Sequence, residues 1–256
     1  MDKYTFDDNP QAIFNPADIV EKIADCPKIA VSVFANNLIE NALKKYPHHV
    51  VAYLKSANGK LPFYCLKIGT YEIGLIMAQV GAPTLVCEYE ELFALGVEKL
   101  AVFGTCGVLD ANIKDCSIIV PNIAIRDEGT SYHYVKAGHE IAVNVKRFDD
   151  LLAFLKMKKI NYTVGKVWSN DAIYRETVNK VKIRKEQGCI CVDMECSAIA
   201  ALAKFRDYEI TQFFYSADNL GSENYELRSL DNEEKIDQKN TIVDLAIEFA
   251  IYLLDK

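Results

Sequence analysis

Short, almost uninterrupted apolar runs recur along this chain, separated by segments of helical periodicity or by turns. The runs begin near Lys28, Phe63, Glu72, Val97, Ser117, Tyr162, Cys189 and Glu209. A strand with one wet face alternates apolar and polar residues, whereas a nearly continuous apolar strand is covered on both faces. The covering layers come from the helices between the strands. Helical spacing is read over Asn37–Lys45, Thr84–Leu95, Phe148–Lys156, Val178–Gln187 and Thr241–Leu254, with a short helix at Ile19–Ala24. Pro83 suits the start of the second of these helices, where no backbone donor is needed, and Gly96 ends it. The pattern predicts one three-layer α/β/α domain over residues 1–256, with a central mixed, largely parallel sheet.

Charge narrows the partners. The chain carries a formal net charge of −7. An acidic surface disfavours nucleic acid and anionic membranes. No apolar run reaches the ~18 residues that mark a membrane span. Residues Met1–Asp8 lack a basic start and an apolar core, so no signal peptide is expected and the cytoplasm is the expected compartment. The eight cysteines sit in apolar contexts, including the pair Cys189 and Cys191 inside one strand, and are read as buried free thiols. The four histidines form no closely spaced ligand pair on a helix, so no metal is expected.

Polar or glycine-containing segments recur after the strands, at Gly104, Arg126, Ser169 and Ser216. A further junction, Asp193-Met194-Glu195, joins an apolar strand to a helix rich in small residues. On residue types alone, acids there are what a helix dipole favours. Ligands of open α/β sheets bind beyond the strand ends, however, and these five segments converge there if the strands share a sheet.

Six motifs make the chain recognisable. They are Gly81-Ala82-Pro83 with Glu90-Glu91-Leu92, Gly104-Thr105-Cys106-Gly107, the run from Asp127 to Tyr134, the run from Ser169 to Tyr174, Val192-Asp193-Met194-Glu195, and Ser216-Ala217-Asp218. In this order and spacing the chain resembles the nucleoside phosphorylases, a family that includes purine nucleoside phosphorylase, uridine phosphorylase and methylthioadenosine nucleosidase. The resemblance implies cleavage of an N-glycosidic bond with phosphate as co-substrate and no cofactor. The transition state gathers positive charge on the ribose and negative charge on the base, so the enzyme must hold the sugar, protonate or stabilise the base, and place an anion beneath the sugar.

By resemblance, Met194 packs under the ribose and Glu195 accepts hydrogen bonds from its 2′- and 3′-hydroxyls. Asp218 matches the acid that protonates a purine. Thr105 and Gly104 match the phosphate site, and Cys106, Gly107, Ile173 and Tyr174 surround the base. Ser131 and His133 belong to a loop pattern similar to uridine phosphorylases, and Arg175 is the candidate nearest the base. The family's early phosphate loop, with its arginine, is replaced here by Val33-Phe34-Ala35-Asn36-Asn37-Leu38, and Val102-Phe103 stands where a second arginine precedes the glycine. Arg126, Arg175 and Lys55 are the replacement cations to inspect. The resemblance favours a purine nucleoside as substrate and a homodimer or higher homo-oligomer as the assembly. The alternatives are a uridine phosphorylase, a nucleosidase using water, and a non-catalytic nucleoside-binding protein.

Overall fold

The computed structural model describes residues 6–230 and 235–256. Parts of the expected N-terminal arm (1–5) and of the Gly221–Asn240 segment (231–234) lie outside the described residues. A one-turn helix α1 (Pro16–Ile19) precedes β1 (Ile29–Val33), α2 (Asn36–Lys45), β2 (His48–Ser56), β3 (Gly59–Ile68), β4 (Tyr71–Met77) and α3 (Ala82–Leu95). Next come β5 (Lys99–Val108), β6 (Ile118–Asp127), β7 (Glu140–Ala142), α4 (Phe148–Met157), β8 (Tyr162–Asn170) and α5 (Val178–Glu186). The chain closes with β9 (Cys189–Asp193), α6 (Cys196–Arg206), β10 (Glu209–Asn219) and α7 (Ile236–Leu254).

The expected layers are present. Apolar side chains of α2, α4 and α7 cover one face of the sheet, and those of α3 and α6 cover the other. The sheet is mixed and mostly parallel: β5 runs parallel to β1 and β10, and β8 runs parallel to β6 and β9. It is also more closed than an open sheet. The path β5–β10–β6–β8–β9 returns to β5, making a ring, while β1, β4, β3 and β2 extend from β5 as a ladder. No apolar pattern encodes such closure, because it depends on which strands meet.

β5 is the hinge of this arrangement. Its first half, to Phe103, pairs with β1, and its last residues, Gly107 and Val108, pair with Val192 and Cys191 of β9 on the same side. Gly104, Thr105 and Cys106 therefore lie where β1 has left and β9 has not yet arrived. On its other side β5 stays paired with β10 throughout, from Lys99 to Val108. Continuous partners explain a difference from the sequence reading: β5 and β10 hold each other through the segments expected to be loops at Gly104 and Ser216, and β6 and β9 hold β8 through Ser169.

Two smaller differences have local causes. The helix expected at Ile19–Ala24 is one turn earlier, started by Pro16 and by the Asp18 carboxylate accepting the Asn15 N–H at 2.7 Å. Beyond it the Ile23 N–H donates to the Leu95 carbonyl at 2.9 Å, so the chain docks on the end of α3 as an irregular segment. β7 was not expected; three residues offer too little periodicity to read. Seven of the cysteines are buried free thiols as expected, but Cys87, on α3, is exposed. Among the described residues no helix is long and apolar enough to cross a membrane.

One buried polar contact pins α3 to β1. The Tyr89 hydroxyl donates to Ser32 Oγ at 2.9 Å, and both residues are fully buried. Replacing Tyr89 by Phe leaves the Ser32 hydroxyl without this partner in an apolar setting, and is expected to cost about 1–3 kcal/mol in urea unfolding. The double variant Tyr89→Phe/Ser32→Ala is expected to regain part of that loss. Equal stability of the single and double variants would refute this account.

Candidate active site

Where β5 exchanges partners, a cavity of about 200 Å³ opens. Its wall includes Gly104, Thr105, Cys106 and Gly107 from β5, Met194 and Glu195 from the β9–α6 junction, Asp218 from β10, and Ile173 from the loop after β8. The structure thus brings together residues from four of the six motifs. A larger groove of about 1010 Å³ continues outward and shares Ile173, Glu176, Asp218 and Leu230 with the cavity. Tyr174 lines only the groove and is 96% exposed.

Local backbone features aim the side chains. Pairing between β5 and β10 slips between Ser216 and Asp218. A bulge of this kind re-aims the residues that follow it, and Asp218 comes to line the cavity. Gly104 and Gly107 let side chains pack directly against the strand: a Cβ at Gly104 would lie 2.6 Å from the Phe34 ring, and one at Gly107 would lie 2.5 Å from Leu220 and 3.1 Å from an Asp218 carboxylate oxygen. Gly81 sits at φ +103°, a conformation that favours glycine. From there its N–H donates to Glu195 Oε1 at 2.6 Å. This is the physical content of the Gly81-Ala82-Pro83 motif.

Asp193 builds the start of α6. Its Oδ2 accepts the backbone N–H groups of Glu195 and Cys196 at 2.9 and 2.6 Å, and its Oδ1 accepts the Ser169 hydroxyl at 2.7 Å. Such an acceptor satisfies N–H groups that a helix start leaves unpaired. Burial pushes the carboxyls of Asp193 and Glu195 upward in pKa. Asp193, gripped by three donors, is the better placed to hold the charge, and that charge raises Glu195 further. Glu128 braces the same helix: Oε1 accepts the Ser197 hydroxyl and Oε2 the Ser131 N–H, each at 2.8 Å.

Several expected residues lie elsewhere. Ser131 is buried and its hydroxyl accepts from Arg126 Nε at 2.8 Å. His133 and Arg175 are exposed, and neither lines the cavity or the groove. Arg126 is engaged in its own loop, donating to the Lys136 carbonyl at 2.7 Å and stacking over Tyr132. Lys55 sits on the β2–β3 hairpin beside a separate cavity of about 420 Å³. Among the described residues the cavity wall carries no Lys, Arg or His, and it holds the acids Glu176, Asp193, Glu195 and Asp218.

The sequence reading did not single out Glu176 or Glu88. Glu88, on α3, accepts the Gln79 N–H at 3.2 Å through Oε2, while its buried Oε1 has no partner among the described residues. The segment from Gln79 to Gly81 is therefore held at both ends by carboxyl groups, Glu88 and Glu195. Neither glutamate breaks a sequence pattern. Glu88 lies in a helix with other acids, and Glu176 lies in a polar loop.

Burial raises the Glu88 carboxyl to about 8 and that of Glu176 to about 7. A carboxyl whose folded pKa is raised binds more protons folded than unfolded. Its contribution to stability is complete below the usual carboxylate range and is lost as pH rises through the folded value. The unfolding free energy is therefore expected to fall between about pH 5 and pH 8.5. Glu88→Gln, which imitates the protonated form, is expected to make that fall shallower, as read by denaturant midpoints across pH. A flat wild-type profile would contradict the assignment.

A family model described as the phosphorylase superfamily matches residues 29–250. Guanosine phosphorylase of Halorubrum lacusprofundi is 28% identical over 125 residues, which are 49% of this chain and 52% of that protein. The match thus spans about half the length of that relative. Among solved structures, uridine phosphorylase from Vibrio fischeri aligns with a TM-score of 0.71 at 17% identity, covering 91% of this chain and 92% of that one. Purine nucleoside phosphorylase from Toxoplasma gondii, in complex with immucillin-H, aligns with a TM-score of 0.73 at 17% identity, covering 89% and 91%. At such identities the structural likeness speaks for the fold, and the family match over most of the chain speaks for descent: the chain belongs to the phosphorylase superfamily.

Proposed function

We propose that this chain cleaves the N-glycosidic bond of a purine nucleoside, with phosphate taking the sugar as ribose 1-phosphate. The observation that carries the reading is the single cavity lined by Thr105, Met194, Glu195 and Asp218. In this reading the ribose lies over Met194, and Glu195, fixed by the Gly81 N–H, accepts hydrogen bonds from the sugar hydroxyls. A carboxylate there also stabilises the positive charge that grows on the sugar. Asp218 supplies the proton that the departing base requires. The Thr105 hydroxyl, beside Gly104, would donate to the incoming anion. The relatives' printed activities, on guanosine, purine nucleosides and uridine, support the reaction class. The acid at Asp218 supports purine over pyrimidine, because a purine's imidazole nitrogen accepts a proton as the bond breaks.

An anion meets an acidic wall here. Phosphorolysis therefore calls for a cation from outside the cavity, and a second copy of the chain is the source this reading favours. The same wall favours a second reading, in which water replaces phosphate. No cofactor enters either scheme. Among the described residues no three His, Cys, Asp or Glu side chains cluster as metal ligands. The compartment in this reading is the cytoplasm.

Inosine, adenosine and uridine, incubated with and without phosphate, separate the readings. The expected result is release of purine base with ribose 1-phosphate, dependent on phosphate. Release of base and free ribose at equal rates without phosphate would establish the hydrolytic reading instead. Tight binding of a nucleoside without cleavage would indicate a sensor. Asp218→Asn is expected to lower kcat by about 10²–10⁴-fold. Glu195→Ala is expected to lower kcat/KM by a similar factor, roughly that of two hydrogen bonds to a charged group. Full activity of either variant would overturn its role.

A further inference from the structure

Among the described residues, the motif that begins at Asp127 supplies nothing to the wall of the cavity or the groove. Three consecutive members of it nevertheless grip the elements around them. Glu128 braces α6 through the Ser197 hydroxyl. The Gly129 N–H donates to Asp171 Oδ2 at 2.8 Å, holding the first residue after β8. Asp127, the last residue of β6, reaches across to α5.

α5 needs such a hold. The helix carries no buried residue, and Val178 and Ile183 on it are exposed. Among the described residues, Val181 is its one side chain packed on an apolar core. Burial of an apolar face, the usual anchor of a helix, is therefore nearly absent. A polar cluster on Trp168 of β8, the chain's single tryptophan and fully buried, takes its place. Asp127 Oδ2 accepts the indole N–H at 3.0 Å, Arg184 Nη2 at 2.9 Å and Lys180 Nζ at 3.3 Å. Both cations also flank the indole, Arg184 at 5.4 Å and Lys180 at 5.7 Å from the ring centre. Burial by itself raises the Asp127 carboxyl, but hydrogen bonds from Arg184 and Trp168 and the charges of both cations hold it below the usual carboxylate range. The Arg184 side chain is 14% exposed, and its buried Nε has no partner among the described residues. Such a cation depends on its carboxylate, because removing one partner leaves the other charge buried and unpaired. A further tie of α5, from Lys185 Nζ to the Gly221 carbonyl at 3.1 Å, is exposed.

Where α5 sits decides the shape of the site. The turn Ile173–Arg175 and Glu176 lead directly into its N-cap, Thr177. Ile173 and Glu176 line the cavity, and Val178 and Val181 line the groove. The small core that contains Trp168 also contains Val192 of the cavity wall, and Val181 and Leu220 of the groove pack against it. Met194 and Glu195 stand on the other side, at the start of α6, where Asp193 and Gly81 hold the backbone and the carboxyl group.

Resting on the reading that the base of a nucleoside lies against Asp218 and Ile173, we propose that Asp127 and Arg184 are positioning residues for that base. By clamping α5 onto Trp168 they fix the wall that carries Ile173, Glu176 and Val181, and they touch neither the substrate nor the reacting atoms. Loosening the clamp frees this wall without disturbing Glu195 or Asp218. Substrate and transition state are then held less tightly to the same degree, which raises KM and leaves kcat nearly unchanged.

The test uses the full chain with inosine or adenosine, whichever the wild type cleaves. Asp127→Ala and Arg184→Met are each expected to raise KM by about tenfold and to change kcat by no more than about threefold. Asp127→Asn, which keeps an acceptor for the indole N–H, is expected to fall between wild type and Asp127→Ala. The double variant Asp127→Ala/Arg184→Met is expected to match the single variants, because both break one interaction. Affinity for free hypoxanthine or adenine, by calorimetry, is expected to fall in step with the rise in KM. Amide hydrogen exchange is expected to quicken over residues 171–187 of Asp127→Ala and to stay unchanged in α6. An ion pair that served stability alone would lower the folded fraction, and with it kcat, at constant KM. Unchanged KM, a loss carried mainly by kcat, or unchanged exchange over residues 171–187 would each overturn the proposal. A wild type that cleaves no nucleoside but binds either base, and binds it more weakly in Asp127→Ala, would refute the proposed reaction and leave this inference standing. A folded wild type that neither cleaves a nucleoside nor binds either base would overturn both.

Discussion

A strand has two edges, and β5 uses them for three neighbours. β10 holds one edge along its whole length; β1 and β9 divide the other. Backbone N–H and C=O groups in a sheet demand partners, so a strand that loses a neighbour partway leaves a gap. The interval from Gly104 to Cys106 is that gap. The ladder on one side and the ring on the other keep it from closing, and the cavity follows from this exchange more than from any loop. Glycine at 104 and at 107 lets Phe34 and Leu220 close on β5 at the two ends of the gap.

Around the gap, acids do most of the positioning. Asp193 starts α6, Glu128 ties that helix to the segment after β6, and Glu88 and Glu195 hold the backbone from Gln79 to Gly81. Each accepts from a backbone N–H or a hydroxyl instead of a cation. Neutral donors of this kind orient a carboxyl group without cancelling its charge. The consequence is a wall of carboxyl groups held by neutral donors, several of them raised in pKa by burial.

Much of this was legible in the sequence, and the divide is physical. Periodicity and apolar continuity are local, so the strands near Phe63 and Glu72 and the helix at Phe148 were readable. The motifs around Thr105, Glu195 and Asp218 were readable because their residue types and order resemble a known family. What could not be read depended on distant partners. The ring closure, the bulge before Asp218 and the extension of β5 beyond Phe103 exist because particular strands lie side by side. The inward turn of Glu176 depends on Asn170, six residues earlier on the end of a strand. Ser131 stood out through its loop's resemblance to uridine phosphorylases and Arg126 as a candidate replacement cation, yet they bond to each other and to their own loop.

The ring also leaves few free sheet edges. Strands within it have partners on both sides for part of their length, and β7 is three residues long. The long exposed edge among the described residues is β2, the last strand of the ladder. An unpaired edge is a template on which another chain can extend the sheet, and native proteins blunt such edges with bulges and charge. β2 carries both devices: its register slips between Val50 and Ala52, and Lys55 stands exposed near its end. Protection against edge-to-edge aggregation is thus built into the one strand that ring closure could not protect.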